Sequence, residues 1–442
     1  MDKNPSSVRL AFLGQPMATL MHREEDGAHL LEFEASFLQL GHDLSPIAFP
    51  LEQMAQPRVF RAGDSPFPGG LPGLIADSLP DAWGERVMRA ELPQITTVVG
   101  KLAAIGRRGP GAITFEPALG PGRDADASSV ELAVLAERAA ALASAKPAPL
   151  TTDDVNAALA KGGSSLGGAF PKTTAHLPLS ADVTDKREIL VGGPTPVGHV
   201  PCILKFSPAD SDGGGAVEFA YMKMAKAAGI RVPRTCLVND GQRRHFAAAR
   251  FDRYIASDGT VAKRHVHTLS GLLHRRASDG QLDYSDFMRV ARRLCGHEEA
   301  VECLRRAIFN LLAVNRDDHG RNHAFLYDET TRTWTLAPAY DLNPNVANIL
   351  IGLSWFGSAA IPQTLADLNR MAELAGIRPT MVRTIFGEVE ESVIGGWRRV
   401  ATECGVPPEI VAIWEKETLI QTRALRADVA KRAAKGRQKG EQ

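Results

Sequence analysis

The sequence has few cysteines, no excess of charge of either sign and no long apolar run. Its five cysteines are scattered over 442 residues, without a C-x-x-C pair and without histidines at metal-binding spacing. This usage indicates reduced thiols in a cytoplasmic protein rather than a disulfide framework. Lysine plus arginine and aspartate plus glutamate number 51 each, so net charge neither favours nor excludes nucleic acid as a partner.

Targeting and membrane segments are also missing. The first residues, MDKNPSS, lack the apolar core of a signal peptide, and no apolar run approaches the length that spans a membrane. We therefore expect a cytoplasmic protein. The Walker pattern is absent, which argues against a P-loop NTPase. A composition of 44% hydrophobic and 23% charged residues fits a globular chain of two or three domains.

The most informative stretch is 310–325 (NLLAVNRDDHGRNHAF), where an apolar helical run is followed by polar residues. Asp317 and Asn322 have the D-x-x-x-x-N spacing of kinase catalytic loops, and Asp341 follows a strand-like segment at 333–337. Phosphoryl transfer needs a carboxylate that orients the attacking hydroxyl, and oxygen ligands that hold Mg²⁺ against the nucleotide. Each residue alone is a common loop residue. Their order and separation predict a kinase.

Two further stretches are candidates for nucleotide binding. The Gly-rich residues 162–168 (GGSSLGG) would let main-chain N–H groups approach phosphate oxygens, although such loops are common. The apolar run 200–206 contains Lys205 near its end. Lys205 would either neutralise the α- and β-phosphates of a nucleotide or extend into solvent from an edge strand. Glu218, expected to open a helix over 218–228, would pair with Lys205 or simply favour the helix N-terminus.

Periodicity and turn residues predict the remaining elements. We expect strands at 8–13, 29–33, 48–51 and 112–115, and a helix within 71–92. Residues 116–150 contain an Ala-rich run and are predicted to be a linker with one surface helix. Helices are expected at 284–295, at 298–314 and through most of 362–427. The tail 431–442 is basic and is predicted to be disordered.

Five motifs, in order, resemble the HipA family, the toxin kinases of bacterial toxin–antitoxin modules. They are 106–115 (GRRGPGAITF), 164–172 (SSLGGAFPK), 250–253 (RFDR), 315–323 (NRDDHGRNH) and 336–342 (LAPAYDL). The resemblance implies an α+β fold with a two-lobed protein-kinase-like core. It implies an N-terminal domain at 1–117, a linker at 118–150, a kinase N-lobe at 151–255 and a mostly helical C-lobe at 256–430, followed by the tail.

The resemblance also assigns roles to residues. Asp317 would be the catalytic carboxylate, and Asn322 and Asp341 would hold Mg²⁺. Ser165, or its neighbour Ser164, would be autophosphorylated, and a phosphate there would repel bound ATP and switch the kinase off. The residues expected to contact ATP are Gly167, Gly168, Lys205, Arg250, Phe251, His319, Tyr340 and Asp341. For His319, bracing of the catalytic loop by a hydrogen bond is an equally good reading.

By the same resemblance, the expected function is a serine/threonine protein kinase toxin that arrests growth by phosphorylating an aminoacyl-tRNA synthetase. Its partner would be a HipB-like helix-turn-helix antitoxin, and operator DNA through it. Ala249 stands where family members carry a glutamate that holds the adenine amino group. A non-catalytic corepressor of the same fold therefore stays an alternative. A small-molecule phosphotransferase would share the Asp317 to Asn322 spacing, and a nucleic-acid-acting enzyme has only the basic tail in its favour.

Overall fold

The structure is a computed structural model. It describes residues 4–119, 127–144, 159, 170–178, 180–207, 213–277, 282–345, 352–357 and 360–440, the last eight for their main chain alone. The chain divides into two compact units. Unit 1 comprises Met1–Asp210, Pro233–Arg275 and Leu326–Arg332, and unit 2 comprises Ser211–Val232, Arg276–Phe325 and Thr333–Gln442.

Unit 1 begins with an antiparallel sheet whose strand order is β4-β3-β2-β1-β5. The strands are β1 (Ser7–Phe12), β2 (Gln15–His22), β3 (His29–Phe33), β4 (Arg58–Phe60) and β5 (Ile113–Glu116). In β1, Val8, Leu10 and Phe12 are buried. This period of two gives the sheet one apolar face, and it explains why the sequence predicted β1, β3 and β5 correctly.

Four helices lie between β3 and β5 along the chain: α1 (Ala35–Leu40), α2 (Gly73–Ala76), α3 (Ala82–Glu91) and α4 (Val98–Ile105). The strand predicted at 48–51 is wrong, since Leu51–Met54 forms a 3₁₀ turn. The helical stretch predicted within 71–92 is interrupted by Pro80. Asp81 then caps α3, because its side chain accepts a 2.9 Å hydrogen bond from the Gly84 N–H.

A second sheet in unit 1 has the strand order β6-β9-β7-β10-β12-β11-β8. Its strands are β6 (Ser128–Glu131), β7 (Lys172–Leu177), β8 (Val183–Asp185), β9 (Glu188–Val191), β10 (Val200–Lys205), β11 (Thr235–Asn239) and β12 (Arg244–Ala249). Adjacent strands are antiparallel except β8 and β11, which are parallel.

The region predicted as a linker belongs partly to this sheet. Strand β6 pairs with β9, and helix α5 (Leu132–Ala143) buries Leu132, Leu135 and Ala139 in the apolar core that the sheet shares with Trp83. The prediction of a surface helix is therefore wrong. An Ala-rich helix carries a weak apolar signal in sequence, but small side chains pack closely against a sheet.

Unit 1 continues through β13 (Arg253–Ile255), β14 (Val261–Lys263), β15 (His265–Thr268) and α7 (Leu269–Leu273). Strands β13 and β14 form an antiparallel hairpin. Two more strands follow residues 315–323: β16 (Ala324–Asp328), and β17 (Thr333–Leu336), which belongs to unit 2.

Unit 2 is mostly helical. Its helices are α6 (Gly214–Ala227), α8 (Tyr284–Cys295), α9 (His297–Leu312), α10 (Leu365–Glu373), α11 (Pro379–Glu390), α12 (Trp397–Glu403) and α13 (Pro408–Gly440), with one π-helical turn at Glu391–Gly395. A capping box of Asp283 and Asp286 starts α8 at the predicted position.

Two predictions for unit 2 are wrong. Glu218 does not open its helix, because α6 begins at Gly214. The tail is not disordered in the part that the structure describes, because α13 continues to Gly440. None of the described helices is both long and apolar enough to cross a membrane.

Candidate active site

The predicted catalytic segment, residues 314–323, begins where α9 ends. Val314 is buried and has a positive φ of 56°. This conformation is costly for a β-branched residue, so surrounding bonds must hold it. The Asn345 N–H donates to the Val314 carbonyl, and the Asn315 N–H donates to the Asn310 carbonyl, each over 2.9 Å. These bonds end the helix and start the segment that carries Asp317.

Two side chains bind the C-terminal carbonyls of α9. The Tyr221 hydroxyl donates to the Ala313 carbonyl over 2.7 Å, and the buried Arg316 guanidinium lies 3.5 Å from the Leu311 carbonyl. Burial lowers the pKa of Arg316 to about 10, so it stays cationic at neutral pH. A cation suits the negative end of a helix. Arg316 therefore supports the helix end that presents Asp317.

The structure brings Asp317 and Asn322 together. The Asn322 side-chain N–H donates to the Asp317 carbonyl over 2.8 Å, and its main-chain N–H donates to the His319 carbonyl over 2.8 Å. Because the amide nitrogen of Asn322 is used in this way, its amide oxygen is directed elsewhere. Asp317, His319 and Asn322 are all partly exposed.

Asp341 and Asn322 line the same pocket, which holds about 260 Å³ including space open to solvent. The pocket is lined by Arg306, Asn310, Asn315, Asp318, Asn322, His323, Ala339, Tyr340, Asp341 and Leu342. Asp341 has a left-handed φ of 58°, which aspartate tolerates better than most residues. The Tyr340 hydroxyl donates to the Arg321 carbonyl over 2.6 Å and so ties the two pocket segments together.

The residues present fit a magnesium ion. Mg²⁺ prefers oxygen ligands, and it is commonly held by one or two carboxylates together with water and substrate phosphates. The pocket offers the carboxylate of Asp341 and the amide oxygen of Asn322, which the bond to Asp317 leaves for a ligand. The chemistry of this pair therefore suits Mg²⁺ held jointly with a phosphate.

His319 lies within the same turn. Its Nδ1 atom is buried and has no hydrogen-bond partner among the residues that the structure describes. A buried ring nitrogen without a partner is costly, so it is a candidate for contact with a bound ligand or water. The alternative role of His319, bracing of the loop by a hydrogen bond, finds no partner for Nδ1 in the described part of the chain, and it stays a prediction for the other ring nitrogen.

A buried polar network under the segment was missed by the sequence prediction. The Asn310 side-chain amide donates to Tyr284 over 3.2 Å and to Asp318 over 3.1 Å, and the Asn315 amide donates to Asn310 over 3.1 Å. Burial raises the pKa of Asp318 to about 8, so its carboxyl group is mostly protonated at neutral pH. The available signal was Asn310, a polar residue within the apolar run of α9.

His323 closes this network. Its ring lies 4.3 Å from the Phe287 ring, and its Nε2–H donates to the Asp318 carbonyl over 3.1 Å. Burial lowers the pKa of His323 to about 3, so the imidazole is neutral near pH 7. His323 is therefore a structural residue that holds the main chain at Asp318.

In unit 1, Lys205 is the last residue of β10, as predicted. It pairs in register with Lys172 of β7 and Phe246 of β12. Its ammonium lies 5.9 Å from the centre of the Phe246 ring. Its contact with nucleotide, and its pairing with Glu218, stay predictions.

The structure gives the polar groups of Arg250 other partners than a nucleotide. Its main-chain N–H donates to the Pro201 carbonyl over 2.9 Å. Its guanidinium donates to both carboxylate oxygens of Asp252, over 2.9 and 2.8 Å, and lies 3.3 Å from the Gly109 carbonyl. Arg250 therefore holds the segment together. Contact of the main chain at Arg250 and Phe251 with the base stays a prediction.

Asp252 is the centre of this buried charge cluster. It accepts hydrogen bonds from the Gly111 N–H over 2.8 Å and from Arg253 over 2.7 Å. Burial opposes ionisation of Asp252, but Arg250 and Arg253 outweigh it and hold the pKa of Asp252 well below its usual range. Asp252 and Arg250 thus anchor the Gly-rich stretch 106–111, which has a packing role.

Four predicted residues lie outside the described part of the chain. They are Ser164, Ser165, Gly167 and Gly168. Phosphate binding by this loop and autophosphorylation of its serine stay predictions.

The α+β fold and the pocket that joins Asn322 with Asp341 define a protein-kinase-like protein. Comparison with known families gives two matches: the HipA N-terminal domain over residues 10–116 and the HipA-like C-terminal domain over residues 164–397, which is more than half of the chain. The chain belongs to the HipA family, a family of toxin kinases.

Individual relatives are more distant. A kinase-named protein of Sinorhizobium fredii, Y4mE, is 29% identical over 212 residues, which is 46% of this chain and 44% of that protein. A kinase-named protein of Haemophilus influenzae is 31% identical over 154 residues, which is 31% of this chain and 43% of that protein. The chain thus spans less than half the length of each of these relatives.

A solved structure matches almost the whole chain. HipA of Shewanella oneidensis MR-1, determined with HipB and its operator DNA, superposes with a TM-score of 0.68 over 96% of this chain and 98% of that chain. The two sequences are 17% identical. At that identity the match shows a common fold.

Proposed function

We propose that this protein is an ATP-dependent, Mg²⁺-dependent serine/threonine protein kinase that acts as the toxin of a toxin–antitoxin module. The observation that carries the proposal is the turn in which Asn322 donates to the Asp317 carbonyl while lining one pocket with Asp341. This arrangement combines a partly exposed carboxylate with two oxygen ligands for a cation. Kinases use such a set to transfer the γ-phosphoryl group of ATP to a hydroxyl.

The roles of the pocket residues follow from their chemistry. Asp317 accepts the proton of the attacking hydroxyl and orients that hydroxyl. Asp341 and Asn322 hold Mg²⁺, which neutralises the charge of the phosphates when bound. His319 directs its buried ring nitrogen to the ligand. Tyr340 keeps Asp341 in place through its bond to Arg321.

Further nucleotide contacts are proposed from the family resemblance. Lys205 neutralises the α- and β-phosphates, Phe251 contacts the base, and Gly167 and Gly168 cover the phosphates. Ser165, or Ser164, is the autophosphorylated residue. A phosphate on that loop carries a charge of roughly −1.5 to −2, which repels ATP and so terminates activity.

The substrate and partners are proposed from family membership. The phosphorylated substrate is a protein hydroxyl, for which we propose an aminoacyl-tRNA synthetase. The partner is a HipB-like antitoxin, and operator DNA is reached through it. The support is the fold shared with HipA of Shewanella oneidensis, which was solved with HipB and its operator DNA.

A non-catalytic corepressor is the second candidate. Ala249 lacks the carboxylate that family members use near the adenine, and the Arg250 N–H is engaged with the Pro201 carbonyl. A small-molecule phosphotransferase is less favoured, because it would not need the N-terminal domain matched at 10–116.

The test is intact-mass spectrometry of the full chain after incubation with Mg²⁺-ATP, beside the variants Asp317→Asn and Asp258→Asn. Asp258 lies in an exposed hairpin turn of unit 1 and serves as the matched control. We expect the wild type and Asp258→Asn to gain one phosphate on Ser164 or Ser165, and Asp317→Asn to gain none. The starting protein is first treated with phosphatase, so that phosphate acquired during expression does not mask the gain.

If the dephosphorylated wild type binds Mg²⁺-ATP but gains no phosphate and modifies no synthetase, the kinase proposal fails. The corepressor reading then predicts antitoxin binding without turnover, which is measured by co-purification with the antitoxin.

A further inference from the structure

Asp318, the residue after Asp317, joins stretches of unit 2 that are far apart in sequence. Its carboxyl group accepts one hydrogen bond from the Asn310 amide of α9, over 3.1 Å, and another from the Leu353 main-chain N–H. The residue is only 5% exposed. One buried carboxyl group therefore links α9, the catalytic segment and residues 352–357.

The stretch 352–357 is fixed by several more bonds to the same region. The Gly352 N–H donates to the Arg316 carbonyl over 3.2 Å. The Ser354 hydroxyl and the Gly357 N–H donate to one carboxylate oxygen of Asp283, over 3.0 and 2.9 Å. These bonds hold residues 352–357 between the start of α8 and the catalytic segment.

Contact between this stretch and Asp318 is close. A β-carbon added at Gly352 would lie 1.9 Å from a carboxyl oxygen of Asp318 and 3.0 Å from the Arg316 carbonyl. No side chain fits at 352 unless the catalytic segment moves. The position of each stretch therefore depends on that of the other, because a closely packed interior leaves neither of them room to shift alone.

We propose that Asp318 is a positioning residue for phosphoryl transfer, which sets the catalytic carboxylate of Asp317 by tying the catalytic segment to residues 352–357. This inference rests on the proposed kinase function and deepens it. Asp317 and Asp318 share a peptide bond, so a shift of one moves the other. Phosphoryl transfer depends on placement of the attacking hydroxyl to within a fraction of an ångström, so a small shift lowers the rate.

The hydrogen bonds allow a sharp test by exchanging two residues. In Asp318→Asn, an NH₂ group replaces one of the two carboxyl oxygens, so either the Asn310 amide or the Leu353 N–H faces a donor instead of an acceptor. In Asn310→Asp, a carboxylate faces the carboxyl group of Asp318. In the double variant Asn310→Asp/Asp318→Asn, the amide introduced at position 318 donates to the carboxylate introduced at position 310. Its oxygen accepts from the Leu353 N–H, so both bonds of residue 318 are restored. The bond of residue 310 to Tyr284 reverses, with the hydroxyl donating to the new carboxylate.

Two readouts are measured on the full chain: phosphate transfer from Mg²⁺-ATP to a supplied synthetase, with its kcat and its KM for ATP, and hydrogen–deuterium exchange of peptides that cover 315–323 and 352–357. We expect Asp318→Asn to lower kcat roughly ten- to a hundredfold while the KM for ATP stays within about twofold. Exchange at 352–357 should become faster. The double variant should recover most of both losses.

Asp367→Asn is the control, because this carboxylate caps α10 by binding the main chain near Thr364. It should lower stability while leaving kcat and the exchange of 352–357 at wild-type values. If Asp318→Asn changes neither readout in an active wild-type background, or if the double variant is no better than the single ones, the positioning role is refuted. A wild-type chain that gains no phosphate and modifies no supplied synthetase instead refutes the kinase function itself.

Discussion

The side-chain amide of Asn322 donates a 2.8 Å hydrogen bond to the main-chain carbonyl of Asp317. The nitrogen of this side chain thus closes the turn after Asp317, which leaves its oxygen for the proposed cation.

Replacing Asn322 by aspartate separates the roles of this nitrogen and this oxygen. Asn322→Asp keeps an oxygen ligand but has no N–H for the Asp317 carbonyl, and its carboxylate repels that carbonyl. We expect kcat to fall by at least about a hundredfold, with Mg²⁺ binding retained. Mg²⁺ titration of ATP turnover measures both quantities.

Asn322→Ala is the companion variant, because it lacks both groups. It should lose activity and also need much more Mg²⁺. Equal activity of Asn322→Asp and wild type would show that the bond to Asp317 has no catalytic importance.

The buried cluster around Asp252 should make a large contribution to stability. In Asp252→Asn, the buried guanidinium groups of Arg250 and Arg253 lose their anionic partner and stay desolvated. We expect a loss of about 3–5 kcal/mol in the free energy of unfolding, since a buried charge without its partner is strongly unfavourable. Urea denaturation followed by tryptophan fluorescence measures the loss.

Asp258→Asn is again the matched control, because Asp258 caps an exposed turn through Thr260. Its urea midpoint should equal that of the wild type within experimental error, since substitutions at exposed sites change stability little. Similar losses in the two variants would contradict the importance of the buried cluster.

The turn between β1 and β2 offers a stabilising substitution. Leu13 and Gly14 both have positive φ, 49° and 84°, and Phe12 pairs with Gln15 across them. These values describe a type I′ hairpin turn, for which Asn-Gly is the preferred pair. Leu13→Asn should therefore raise the free energy of unfolding by about 1 kcal/mol. Leu13→Ala, which keeps the strain, should not, and equal stabilities of the two variants would contradict this reasoning.

Buried histidines predict loss of stability in acid. Burial lowers the pKa of His265 to about 3, of His274 to about 4 and of His323 to about 3. Below about pH 6.5 the unfolded chain binds protons at these sites while the folded chain does not, so stability falls as pH decreases toward pH 4. The urea midpoint at pH 7, 6 and 5 measures this slope.

His274 gives a specific check on the acid dependence. Its Nε2 accepts a 3.0 Å hydrogen bond from the Gly73 N–H, which a protonated imidazole cannot do. His274→Asn removes this titration, and asparagine tolerates the left-handed φ of 50° at this position. The slope between pH 7 and 5 should be smaller in this variant, and an unchanged slope would assign the acid dependence to other groups.

Secondary-structure elements and site residues could be predicted from sequence where the pattern lies within a few neighbouring residues. The alternation of Val8, Leu10 and Phe12 predicts β1, and helical periodicity predicts α8. The motif that begins at Asp317 predicts two residues that line the pocket, Asn322 and Asp341. These signals depend on side-chain periodicity and turn chemistry within a few residues, so they can be recognised without knowing which residues are in contact over long distances.

The hydrogen-bond partners that lie far apart in sequence could be identified only from the tertiary structure. Arg250 binds Asp252 and the Gly109 carbonyl. Helix α5 packs against a sheet instead of lying in solvent. The Asp318 carboxyl group accepts hydrogen bonds from Asn310 and Leu353. The physical reason is that a buried polar group must find its hydrogen-bond partner wherever packing brings one, and sequence spacing does not encode that encounter.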